Sequence, residues 1–195
     1  MRTRQSYKDI NQKFVINASL IAGKGAVFED FSQEDFSDFC SKESLQFPNS
    51  YINFLKKANG GGTSLFQDLY IKNGMRKVKI FGFRSFVKGG GIVAHPETWQ
   101  TCNEVRPSFF YEICSCSLNN EILLGVKEPY LGMVFIFNDR RTQVYDPDFK
   151  GDVLKDKGLI KCYPTFLDFV HDFRCEPKSY DRYRGEKREI NVHDL

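Results

Sequence analysis

The apolar residues of this chain change period twice. Between Phe31 and Ala58 they recur every three or four positions, from Leu69 onward they alternate or run together, and near Phe166 the helical interval returns. Ser32 is a capping residue with Asp35 three positions on, and Phe31 is placed to staple onto Phe36. A first helix is predicted there, with Phe36, Phe39 and Cys40 on its inner face. A second, short helix follows. Pro48 suits the first helical position, where a missing N–H costs nothing. Tyr51, Leu55 and Ala58 fall at i, i+4 and i+7, Ile52 and Phe54 widen the stripe, and Asn53, Lys56 and Lys57 keep the far side polar. Asn59, Gly60, Gly61 and Gly62 tolerate positive φ, which predicts a left-handed cap and an abrupt exit of the backbone.

Strands are expected at 69–72, 77–83, 109–116, 121–126, 132–138 and 142–146. Asn138-Asp139-Arg140-Arg141 is short and polar, so the last two strands are expected to form a hairpin. A third helix should begin near Pro164 and Thr165, with Phe166, Phe169, Val170 and Phe173 facing the core and Asp168 as the reciprocal cap of Thr165. Residues 176–195 carry five acidic and five basic side chains with few large apolar ones, and read as a loosely packed or partner-ordered tail. The fold class expected is α+β: an antiparallel sheet of about five to six strands, two helices before it and one after. The expected organisation is a basic, partly ordered leader over 1–28, a domain over 29–175 and a charged tail over 176–195.

The helix that begins at Pro48 and ends in Asn59-Gly60-Gly61, with Tyr51, Phe54 and Leu55 facing inward, resembles the signature of the SUKH superfamily (SMI/KNR-like). Bacterial members of that family are mostly immunity proteins against toxins, and fungal members regulate cell-wall synthesis. The resemblance covers roughly residues 30–174 and implies the same order of helices and sheet. Leu124-Gly125, Met133 to Phe137 and Val144-Tyr145-Asp146 look like its later strands, whereas Val126 to Leu131 replaces the simpler glycine-rich turn usual there.

Composition narrows the function classes. With 195 residues and 41% hydrophobic positions the chain is long enough for one core, and 19 phenylalanines make that core aromatic. The formal charge of +3 is already reached within residues 1–13, where Arg2, Arg4, Lys8 and Lys13 face Asp9 alone. Beyond them an acidic block (Glu29 to Glu43) and a basic block (Lys56 to Lys88) offset each other, a dipolar surface able to steer a charged partner. Six cysteines in a chain of this size do not make a disulfide scaffold, and the apolar run 14–22 is interrupted by Asn17 and Ser19, so a reducing, cytoplasmic setting is expected.

Candidate chemistry is sparse. Cys114 and Cys116 share a strand face and lie within possible reach of Cys102 or His95, but neither a C-x-x-C nor an H-x-x-x-H pattern is present, so no metal and no cofactor are expected. The glycine runs 60–62 and 89–91 lack the Gly-Lys-Ser/Thr of a phosphate cradle. Phe81, Phe83 and Phe86 alternate with Lys and Arg as inward core residues do, which disfavours an RNA-stacking sheet. No catalytic residue is assigned. The expectation is a non-enzymatic protein-binding module, resembling SUKH immunity proteins, that occludes a partner toxin stoichiometrically; a regulatory adaptor similar to the fungal members is the alternative. Arg84, Trp99, Tyr130 and Asp146 are the expected partner-binding anchors, and Pro48, Tyr51, Leu55, Asn59, Gly60 and Gly61 the structural motif.

Overall fold

Ser32 opens the first helix as its hydroxyl predicts. In the computed structural model, which describes residues 13–21, 25–62, 67–73, 76–87, 91–93, 110–117, 120–138, 159–177 and 185–195, Ser32 Oγ accepts the Asp35 N–H at 3.2 Å and starts α1 (Gln33–Glu43). The staple is present: the Phe31 and Phe36 rings lie 5.4 Å apart. Ser44 (φ 54°) closes α1 in the left-handed region, and the Leu45 N–H returns to the Cys40 carbonyl at 2.8 Å.

Pro48 precedes α2 (Asn49–Lys57) instead of occupying its first turn. Its extended backbone (φ −66°, ψ 145°) aims its carbonyl at the N–H groups of Tyr51 and Ile52. Tyr51, Phe54 and Leu55 are buried, as the stripe requires. The exit differs from expectation. Ala58 leaves the helix at φ −150°, ψ 88°, and positive φ appears only at Gly60 (90°) and Gly61 (97°). The glycines therefore do not cap the helix; they let its exit thread between neighbouring strands.

Four ranges build the centre of the main sheet: β4 (Gln67–Asn73), β5 (Arg76–Phe83), β8 (Phe110–Cys116) and β9 (Asn120–Gly125). With β10 (Val134–Asn138), β11 (Leu159–Tyr163) and β12 (Arg174–Pro177) they form a seven-stranded antiparallel sheet in the order β11-β10-β9-β8-β5-β4-β12. Three two-stranded ribbons accompany it: β1 (Lys13–Asn17) with β13 (Lys187–Asn191), β2 (Ser19–Ile21) with β3 (Gly25–Val27), and β6 (Ser85–Val87) with β7 (Gly91–Val93). The α+β class and the two helices ahead of the main sheet are as expected, whereas the helix Phe166–His171 falls between β11 and β12, both strands of that sheet, and not after it. The strand count is higher because β11 and β12 flank the predicted set. Pairing also differs: β10 has β9 on one edge and β11 on the other, so no edge along Val134–Phe137 remains for the hairpin expected with 142–146, which lie outside the described residues.

The helices share one face of this sheet. Leu69, Ile71, Val78, Ile80, Phe83, Ile122, Leu124, Val134 and Ile136 join Phe36, Tyr51, Phe54, Leu55 and the third helix in one apolar cluster. That helix, α3 (Phe166–His171), is capped by Thr165, whose Oγ1 accepts the Asp168 N–H at 3.1 Å and donates to Asp168 Oδ2 at 2.7 Å. Its Phe169 meets Phe173 edge-on at 4.8 Å.

The packed core reaches beyond the expected borders at 29 and 175. Phe14, Ile16 and Ala18 from the leader and Ile190 and Val192 from the tail are buried in the same cluster, because β1 and β13 pair with each other. Charge density concealed this, since Lys187, Arg188 and Glu189 surround the single inward Ile190.

The motif residues tie these parts together. Asn59 imitates a strand: its Nδ2 donates to the carbonyls of Phe86 (2.7 Å) and Asp30 (3.1 Å), and its Oδ1 accepts the Phe86 N–H at 2.7 Å. Gly61 carries the Phe83 N–H on its carbonyl, and a Cβ there would stand 2.7 Å from the Asn17 carbonyl oxygen and 2.8 Å from Phe28 Cε1. Gly62 then exchanges two backbone hydrogen bonds with Asn17, each 2.8 Å, and bridges to Gly82, joining the β1 ribbon to the main sheet.

Candidate functional site

Strand β5 supplies the first feature of the outer face, the side of the sheet away from the helices. Val78 and Ile80 point to the core and Lys77 and Lys79 away from it, but pairing with β8 slips between Ile80 and Gly82. Phe81 keeps to the outer side with Lys77 and Lys79, and the slip turns Phe83 inward. At 47% exposure it is the one large hydrophobic side chain exposed among the described residues. The expectation of an inward Phe81 is not met: the alternation set by Val78 and Ile80 already puts it outside, and the bulge changes the side of Phe83.

Arg84, next after the inward Phe83, lies beside Glu112 of β8. Its Nε donates to Glu112 Oε1 at 2.9 Å and its Nη2 donates to the same oxygen. The pair is unequally covered: 19% of the Arg84 side chain is exposed and 3% of Glu112. Glu112 Oε2 is buried without a hydrogen-bond partner. Burial pushes the Glu112 carboxyl up to about 7, opposed by the charge and hydrogen bonds of Arg84 and reinforced by the nearby Glu121.

Two residues back along β8, and so on the same face, Phe110 begins an aromatic group. Its ring is 5.0 Å from those of Tyr130 and Phe135, and Leu123, opposite Glu112 in the register, belongs to the same cluster with Phe137 and Met133. Tyr130 is set by the turn after β9, where its N–H reaches the Lys127 carbonyl and its carbonyl accepts the Met133 N–H, both at 3.0 Å. The departure at Val126 to Leu131 is thus the segment that positions Tyr130.

Of the four expected anchors, Arg84 and Tyr130 come together on the outer face, linked through Glu112 and Phe110 of β8; Trp99 and Asp146 lie outside the described residues. Pro48, Tyr51, Leu55, Asn59, Gly60 and Gly61 belong to the opposite side and serve the architecture. Sequence reasoning missed Glu112, although a lone carboxylate within Phe109 to Cys116 was a usable signal. It also missed the exposure of Phe81, although the alternation of Lys77, Lys79 and Phe81 against Val78 and Ile80 pointed to it.

Among the thiols, burial pushes Cys40 and Cys175 up to about 11 and Cys114 well above its ordinary value, so these groups stay protonated near neutrality. The described residues contain no group of three or more His, Cys, Asp or Glu arranged to hold a metal ion. No described helix is long and apolar enough to cross a membrane. Comparison with protein-family models, curated proteins and solved structures found no match to this chain.

Proposed function

We propose that this chain is a non-enzymatic protein-binding module of SUKH type, which neutralises a partner toxin by stoichiometric occlusion. The observation that carries the reading is the outer face: an exposed Phe81, a largely buried Arg84 fixed by Glu112, and a partly buried Tyr130 seated on Phe110. Aromatic and arginine side chains on rigid backbone supply most of the energy of protein recognition, because little side-chain freedom is lost on docking. The motif resemblance supplies the toxin as the class of partner, and a cytoplasmic setting goes with it.

Co-expression with the product of the neighbouring open reading frame tests the proposal. A one-to-one complex on co-purification, together with rescue of growth from that product's toxicity, is the expected result. Absence of both complex and rescue with every toxin encoded beside the gene removes the immunity reading.

A further inference from the structure

We infer that the Arg84–Glu112 pair is a proton-linked receptor for one carboxylate of the partner, an aspartate or glutamate presented beside an apolar group that covers Phe81. The inference rests on the protein-binding reading above and names what that surface recognises.

Geometry supports it first. Nε and Nη2 of Arg84 converge on one oxygen of Glu112, which leaves Nη1 without a partner among the described residues on a side chain that is 19% exposed. A carboxylate arriving from solvent meets a planar donor edge whose orientation is already fixed. Lys79 and Lys77, the latter ion-paired with Glu176, are exposed on the same face, with Phe81 between them and Arg84, so Arg84 and the apolar contact at Phe81 together fit an acidic, partly apolar segment.

The proton link follows from the second oxygen. Glu112 Oε2 is buried and unpaired. When Glu112 is ionised it neutralises Arg84, and an incoming carboxylate must compete with it. When Glu112 holds a proton on Oε2, Oε1 still accepts from Arg84, the arginine stays in position, and its charge is uncompensated. Binding a carboxylate therefore favours protonated Glu112, and one proton is taken up wherever that group is ionised beforehand. The other groups that act on this region do not reverse the sign. Glu121 on β9 repels a charge on Glu112, while burial holds Tyr51 on α2 and Cys114 on β8 neutral near pH 7. With Glu112 titrating at about 7, carboxylate affinity falls about tenfold between about pH 6 and about pH 8.

The test uses the chain alone with acetate as the probe, at constant ionic strength maintained with chloride. The Arg84 side-chain Nε–H resonance is assigned by its loss in R84K and followed by NMR at both pH values. A saturable shift at the lower pH, weakened about tenfold at the higher, with E112Q responding equally at both, is the expected result. No saturable shift at the lower pH, or a wild-type affinity indifferent to pH, overturns the inference. E112Q keeps the size of Glu112, and its amide dispersion reports whether it is folded. The two proposals fail separately. An acetate site without a toxin complex removes the immunity reading alone, and a toxin complex indifferent to pH and to R84K removes the receptor alone.

Discussion

Phe110 and Glu112 stand two residues apart on β8, and each fixes one anchor of the outer face: the Phe110 ring lies 5.0 Å from Tyr130, and Glu112 accepts the Arg84 Nε–H at 2.9 Å. A single strand thereby sets the spacing of an aromatic and a cationic contact, and its rigidity is what makes that spacing usable in recognition. Phe81 tests the use of this surface. Replacing it with serine removes exposed apolar area, so the melting temperature should change little, while affinity for the cognate partner should fall tenfold or more, roughly the effect of one hot-spot residue. Thermal melts and calorimetric titration measure the two quantities.

The buried carboxyl of Glu112 makes stability depend on pH. Its folded value of about 7 lies above the ordinary 4.5, so the native state binds more protons than the unfolded chain in that window. Stability associated with this group is complete below about pH 4.5 and is lost as the pH rises through about 7, by up to roughly 3 kcal/mol. E112Q should flatten that fall. Urea denaturation of both proteins between about pH 5 and about pH 8 checks the sign.

Asn59 should be among the least replaceable polar residues. Asn59→Ala deletes its hydrogen bonds to Phe86 and Asp30 and strands the Phe86 N–H in a buried place, a loss of about 2–4 kcal/mol. Asn59→Asp keeps the acceptor for the Phe86 N–H but turns the donor toward two carbonyls into a buried negative oxygen, so it should be no better. Chemical denaturation midpoints rank the three proteins.

Gly61 and Gly132 separate two reasons for glycine. Both have positive φ, 97° and 78°. A Cβ at Gly132 meets nothing within 4 Å, whereas one at Gly61 collides with Ile16, Asn17 and Phe28. Gly132→Ala should therefore cost about 1 kcal/mol, the backbone penalty alone, and Gly61→Ala should prevent stable folding or cost several times as much. Comparing soluble yield and unfolding free energy of the two variants distinguishes them.

Removing residues 187–195 tests whether the end of the chain belongs to the core. The deletion takes away β13, uncovers Phe14 and Ile16, and loses the buried Ile190 and Val192, each worth roughly 1.5–3 kcal/mol. The Lys57 contact to Asp194 and the Asn53 contact to the Leu195 carbonyl go with it. An aggregated or molten product is expected by circular dichroism and dye binding; a native-like spectrum would show that β13 is dispensable.

The elements that could be read from the sequence were those with local signals. Ser32 and Thr165 cap helices at the predicted positions, and Tyr51, Phe54, Leu55, Phe166, Phe169 and Val170 are buried as their spacing requires. What escaped depends on distant partners. Residues 187–191 look like tail until β1 is placed beside them, and β11 looks like linker until it completes the edge of β10. Phe81 lies outside with Lys77 and Lys79 by simple alternation, and it is the inward turn of Phe83 that depends on a bulge in the pairing with β8. Arg84 and Tyr130 were chosen because they flank the sheet; that Glu112 and Phe110 hold them is a tertiary fact.

The ribbon of β1 and β13 closes a loop in which Lys13 and Glu189 are 176 positions apart. Closing so long a span is expected to come late in folding, which would leave Phe14 and Ile16 uncovered while the main sheet assembles. Nascent molecules should then be most prone to stick together at this seam, and a holdase that masks β1 should raise the yield of folded protein more than one acting anywhere else.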